Sequence, residues 1–111
     1  MEASWETEMI KVSVLYPNAA DATFDMSYYL NSHMPMVKRK LEPALKGMFV
    51  DEGLGGGQPG VAPAYVAMCH LMFDSVEAFQ STFGTHGPEI LADIPNYTNT
   101  QPTVLISRVK M

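Results

Sequence analysis

Residues 65–73 read YVAMCHLMF, a run with no Asp, Glu, Lys or Arg and one polar ring, His70. A run of this length, apolar at odd and even positions alike, is a strand that buries both its faces. His70 shares one face with Met68 and Met72, and Cys69 points to the other. A sheet centred on this strand needs cover on two sides. The rest of the chain has to supply it.

Toward the N-terminus, residues 53–63 (GLGGGQPGVAP) are a flexible connection. No Lys-Ser or Lys-Thr pair follows the glycines, no helix opens after them, and the dinucleotide-binding spacing is missing. A hairpin loop or lid is expected there, not a phosphate loop. A short strand is predicted at Gly47 to Val50. Before it, Phe24 to Leu45 reads as helix, with cap residues at Asp21, Ala22 and Thr23. Tyr29 and His33, four apart, stack on one helical face that Met26 and Val37 continue. Pro35 removes a backbone donor and crowds the carbonyl of Asn31, so the helix is expected to stop or kink beside His33 and to end near Pro43. Ile10, Val12, Val14 and Tyr16 alternate as a strand stopped by Pro17-Asn18. Residues 1–9 are acidic and read as a flexible extension, with Trp5 available to dock on the body or on a neighbouring subunit.

Toward the C-terminus, Asp74 or Ser75 caps a helix whose stripe is Val76, Phe79, Gln80 and Phe83. Gly84-Thr85-His86-Gly87-Pro88 is expected to break it, leaving one more turn from Glu89 to Ala92. Residues 93–97 connect to a last strand at Thr103 to Val109. The order β-α-β-β-α-β predicts one α+β domain over 10–111. It is a ferredoxin-like sandwich, a four-stranded antiparallel sheet with two helices on one face. Two helices cover one face only. The other remains apolar, and a homodimer paired through its sheet faces, enclosing a cavity or groove, is the simplest remedy.

The 111 residues carry a net charge of -5 with 47% apolar and 17% charged side chains, a globular composition. The one short basic cluster, Lys38-Arg39-Lys40, falls in a helical pattern and reads as a solvated face. Nucleic acid and anionic membranes are not expected partners. A single cysteine forms no internal disulfide, and no apolar run approaches the ~20 residues that span a bilayer. A cytoplasmic protein is expected.

The first strand, followed by FDMSYYLNSHMP (24–35) and by ADIPNYT (92–98), resembles the EthD family over residues 10–110. That family is named for a protein encoded beside a cytochrome P450 system of ethyl tert-butyl ether degradation. Phe24, Tyr28 or Tyr29, His33 and Pro35 carry the resemblance most specifically, with Asp93-Ile94 as a second marker. It implies the dimeric α+β barrel fold. Relatives on that fold include cofactor-free monooxygenases, polyketide cyclases, lactone isomerases and decarboxylases, so fold alone does not name a reaction.

The residue types support proton-transfer chemistry without a cofactor. A half-buried imidazole at His33 serves as general base or acid, and Tyr29 or Tyr28 holds a developing oxyanion. The structural alternative is a histidine that fixes the helix kink. Phe24, Met36, His70, His86 and Asp93 are candidates for contacting a small apolar, oxygenated or aromatic molecule. His86 falls in the predicted loop, and Asp93 either orients a histidine or caps the turn before Pro95. The histidines lack metal-ligand spacing, so no metal site is expected. Cys69 reads as a buried hydrophobe, and G-x-S-x-G is absent. Nine methionines and ten Phe and Tyr residues suit an adaptable apolar cavity. The rival reading is a non-catalytic carrier for a hydrophobic intermediate of an oxygenase pathway. A solid dimer interface serving assembly alone is a third.

Overall fold

The computed structural model describes residues 9–111. The expected extension at 1–9, including Trp5, lies outside them except for Met9, whose carbonyl accepts from the Val109 amide at 2.9 Å. Four strands, β1 (Ile10–Pro17), β2 (Gly47–Glu52), β3 (Tyr65–Phe73) and β4 (Thr103–Arg108), form one sheet in the order β2-β3-β1-β4. Every neighbouring pair is antiparallel. Helix α1 spans 26–41 and helix α2 is Val76–Ala92. With the two helices on one face, this is the ferredoxin-like β-α-β-β-α-β arrangement.

The alternation in β3 resolves into two faces. Ala67, Cys69, Leu71 and Phe73 are buried against the helices, whereas Val66, Met68, His70 and Met72 are only half-buried on the other side. Register carries this across the sheet. Met48, Leu71, Val12 and Ile106 lie side by side toward the helices, and Phe49, His70, Ser13 and Leu105 lie side by side on the helix-free face. Val37 and Leu41 of α1 and Phe79 and Ile90 of α2 complete the core. The helices stop short of β4, so Val104 remains 54% exposed on the side they occupy.

Both expected helix breaks are absent. Helix α1 starts at Met26, later than expected, because Asp25 rather than the residues at 21–23 accepts from the Tyr28 amide. It then widens into a π-helical turn at Tyr29–His33, closed by the Met34 amide bonding the Tyr29 carbonyl five residues back. Pro35 follows in the first turn of the next α-helical segment, Met34–Leu41, just after the wide turn has already shifted the hydrogen-bond register. The wide turn replaces the break. Helix α2 runs through Pro88, and His86 is therefore helical rather than in a loop. Gly87 serves packing there, since a Cβ would lie 2.7 Å from the Phe83 ring. Gly84 is exposed, so water can satisfy the carbonyl that Pro88 leaves free.

Candidate functional site

The π turn carries Tyr29 and His33 to the sheet side of α1, where their rings stack at 13° with centroids 5.4 Å apart. The segment after α2 comes to meet them. Ile94–Asn96 is a single 3-10 turn. Residues 97–99 are tied to the start of α1 by Asp25 N–H donating to the Tyr97 carbonyl at 2.7 Å and by the Thr98 hydroxyl donating to the Thr23 carbonyl at 2.6 Å. Phe24 and Thr98 add an isolated β-bridge. Asp93 and Tyr97 thereby flank His33 on its two ring nitrogens.

A continuous chain of hydrogen bonds results. His33 Nδ1 lies 2.9 Å from Asp93 Oδ2, and Asp93 Oδ1 accepts from the Tyr28 hydroxyl at 2.7 Å and from Asn96 Nδ2 at 2.8 Å. His33 Nε2 lies 3.3 Å from the Tyr97 hydroxyl, which lies 2.6 Å from the Tyr16 hydroxyl of β1. Beside His33, Tyr16 and Tyr29 is an apolar cavity of about 210 Å³ between sheet and helices. Val12, Val14, Leu71, Phe79 and Ile90 make much of its wall. Leu91 and Val104, each about half exposed, belong to it as well, so it reaches the surface between α2 and β4. The enclosed hollow thus lies within one chain, under the helices.

Burial governs the electrostatics of this corner. It pulls the His33 imidazole below its ordinary 6.5 despite the opposing pull of Asp93, so the ring is neutral near pH 7. Burial works to raise the Asp93 carboxyl, but the bonds from Asn96, His33 and Tyr28 outweigh it and hold the group below its ordinary value. Burial also raises Tyr16, Tyr29 and Tyr97 and pushes the Cys69 thiol up to about 12. Tyr28 is raised chiefly by its bond to Asp93. The only ionised group in the network is therefore Asp93. A neutral imidazole held by a carboxylate and facing an apolar hollow is equipped to take up a proton.

The sequence-derived candidates divide around this cavity. His33 and Tyr29 line it. Asp93 holds His33 from behind, and Tyr28 holds Asp93 from the surface side, away from the oxyanion position expected of it. Phe24 packs edge-on against Tyr16, Tyr29 and Tyr97 as a support. Met36 lies in a shallow surface cleft with Tyr28, Lys40 and Glu89. His70 projects from the helix-free face, and His86 is outside the cavity lining. Sequence reasoning missed Tyr16, which reads as an ordinary inward strand residue, and Tyr97 and Asn96. The one available signal was the ADIPNYT stretch, which sets Asn96 and Tyr97 three and four residues after Asp93. Among the described residues no group of three or more His, Cys, Asp or Glu is arranged to hold a metal ion. No helix among them is long and apolar enough to cross a membrane.

No protein-family model and no curated protein matches the chain. Solved structures do. An EthD-like protein from Ralstonia eutropha JMP134 superposes with a TM-score of 0.90 at 47% identity, over 95% of each chain. An ethyl tert-butyl ether degradation (EthD) family protein from Bacillus halodurans C-125 gives 0.70 at 24% identity, over 93% of this chain and 99% of its own. The hydroxynitrile lyase of Passiflora edulis shares the fold, with a TM-score of 0.70 at 14% identity over 94% and 95%.

Proposed function

The chain belongs to the EthD family, and from that premise we propose a small enzyme that moves a proton, without a cofactor, on an apolar oxygenated or aromatic molecule. The observation that carries this is the Asp93–His33 pair set at the wall of an apolar cavity. A neutral imidazole there accepts a proton from a bound molecule, and Asp93 stabilises the imidazolium that forms. Tyr29, in the same wall, is placed against the bound molecule, and Asp93 and Tyr28 act as positioning residues. Monooxygenase, cyclase, isomerase and decarboxylase reactions all include such a step, and catabolism of apolar compounds in the cytoplasm is the setting this reading implies.

The test uses a general-base probe small enough for the cavity, 5-nitrobenzisoxazole, whose ring opens when one carbon-bound proton is removed. The protein accelerates the opening, and His33→Gln loses about a hundredfold or more of that rate. An unchanged rate in His33→Gln rejects the assignment. A specific observation favours a second reading, a non-catalytic carrier: Tyr97 already occupies His33 Nε2, so every ring nitrogen has a partner at rest. Probe binding without turnover in the unaltered protein selects that reading.

Assembly belongs to the same proposal. Phe49 and Leu105 stand 58% and 54% exposed on the helix-free face, beside half-buried Leu15, Met68 and Met72. A second copy laid sheet to sheet covers them. Light scattering at micromolar concentration reports a dimer if so, and a monomer rejects it.

A further inference from the structure

Four side chains in the cavity wall carry a group able to hydrogen-bond: Tyr16, Tyr29, His33 and Cys69. Two of them are engaged within the protein. The Tyr16 hydroxyl lies 2.6 Å from that of Tyr97, and His33 meets Asp93 on one ring nitrogen and Tyr97 on the other. The Cys69 thiol is at best a weak donor. Tyr29 is different. It is 1% exposed, and its ring is held by Tyr16, Phe24, His33 and Tyr97. The Tyr16 hydroxyl and the Cys69 thiol are near enough to influence its ionisation, but neither meets its hydroxyl in hydrogen-bonding geometry. Burial keeps that hydroxyl protonated. Among the described residues no sealed polar side-chain atom lacks a hydrogen bond. An unbonded Tyr29 hydroxyl is therefore open to the hollow, not walled into the packing.

We infer that the Tyr29 hydroxyl is the cavity's donor to its ligand, and that the ligand is a neutral ketone or aldehyde whose carbonyl oxygen heads an apolar body. This rests on the reading of the cavity as a ligand site and narrows it. A phenol hydroxyl donates more readily than it accepts, so a carbonyl oxygen is the partner that suits it. A hydrocarbon leaves the hydroxyl unbonded in apolar surroundings. A carboxylate meets no Lys or Arg in the wall and loses its water on the way in. The sheet register fixes the orientation. Cys69, Val14 and Val104 are neighbours across three strands, which puts the Cys69 end of the cavity about 10 Å from Val104. With its oxygen on Tyr29, beside Cys69, the ligand turns its apolar end to half-exposed Leu91 and Val104 at the mouth. Size agrees, since an apolar cavity of about 150 Å³ holds benzene and this one is about 210 Å³. Donation to a carbonyl oxygen also acidifies the C–H beside it, the kind of proton that the proposed reaction removes.

The experiment titrates the full chain and its Tyr29→Phe variant at pH 7 with two probes of one shape. Acetophenone carries a carbonyl oxygen where α-methylstyrene carries a CH₂ group. Calorimetry or ligand-observed NMR gives both affinities. Tyr29→Phe weakens acetophenone about tenfold and leaves α-methylstyrene within about twofold. In the unaltered protein the carbonyl stretch of bound acetophenone falls below its frequency in hexane, and in Tyr29→Phe it returns. Without ligand, the variant keeps the urea midpoint of the unaltered protein, because no internal bond is lost. A merely structural hydroxyl moves that midpoint and leaves the probe ratio alone. Equal effects on the two probes, or an unshifted stretch in the unaltered protein, overturn the inference while leaving the cavity a ligand site. Failure of both probes to bind the unaltered protein overturns the site itself. A Tyr29→Phe chain too unstable to titrate also counts against the inference, since it shows the hydroxyl holding the fold.

Discussion

On each side of the sheet a histidine lies beside a carboxylate, and the two pairs are set in opposite surroundings. His33 is 3% exposed, sandwiched by Tyr29 and Tyr97, with Asp93 at 2.9 Å. His70 stands on the helix-free face with its Nδ1 2.8 Å from the Ser13 hydroxyl and its Nε2 3.3 Å from Asp51, whose side chain is 52% exposed. Water screens the second pair and can replace either partner. In the first pair the Asp93 side chain keeps 18% exposure but the imidazole does not reach water, so losing Asp93 strands a ring N–H among aromatic rings. The chemistry of a His–Asp pair is decided by what surrounds it.

Removing each ring tests that contrast most directly. His33→Ala is expected to lower stability by about 3 kcal/mol, from a cavity and a broken polar chain, and His70→Ala by less than about 1 kcal/mol in the single subunit. Urea midpoints read both, and equal losses erase the distinction. On the open face, Phe49→Asp places two charges in the proposed sheet-to-sheet contact and raises the dissociation constant about a hundredfold. A dilution series by light scattering that is unmoved by it removes that face as an interface. Asp93→Asn keeps the shape but frees His33 to take the other tautomer. It costs about 1–2 kcal/mol of stability and about tenfold or more of benzisoxazole turnover.

Acid sharpens the comparison further. The His33 pKa is lowered by burial, so below 6.5 the unfolded chain binds a proton that the folded chain refuses. Stability therefore falls as pH drops through 6.5 and goes on falling until the folded value is reached. Asp93, also lowered, contributes stability that is complete above 3.8 and lost as pH falls through its folded value. The thermal midpoint should drop between pH 7.5 and 5, and His33→Gln should flatten that upper window alone. Ser13→Ala on the open face is the smallest effect, below about 1 kcal/mol. A larger one means that the open-face network is buried by something.

The order of elements along the chain, the division of β3 into two faces and the pairing of Tyr29 with His33 were legible, because periodicity records burial directly; which face of β3 meets the helices was not. Two helix breaks were read where none exists. Pro35 and Gly84–Pro88 do oppose helix locally, but a π turn and an exposed carbonyl absorb the cost without ending the helix. Tyr97 and Tyr16 were out of reach for another reason. They stand 81 residues apart and meet His33 only after the sheet order brings β1 beside the segment that follows α2. No local pattern encodes such a meeting. Only the topology does.

The wide turn at Tyr29–His33 has a bearing on how this chain tolerates change in length. It holds one residue more than an α-helix needs over the same rise, a surplus absorbed without a bulging loop. Deleting Asn31 or Ser32 converts the turn to ordinary helix and swings the preceding residues by about 100° relative to Val37 and Leu41. The anchors on the sheet survive that deletion. Tyr29 and the Asp25 cap do not keep their places, because they precede the deletion while His33 follows it, so the length of this turn decides whether the tyrosine stays stacked on the imidazole.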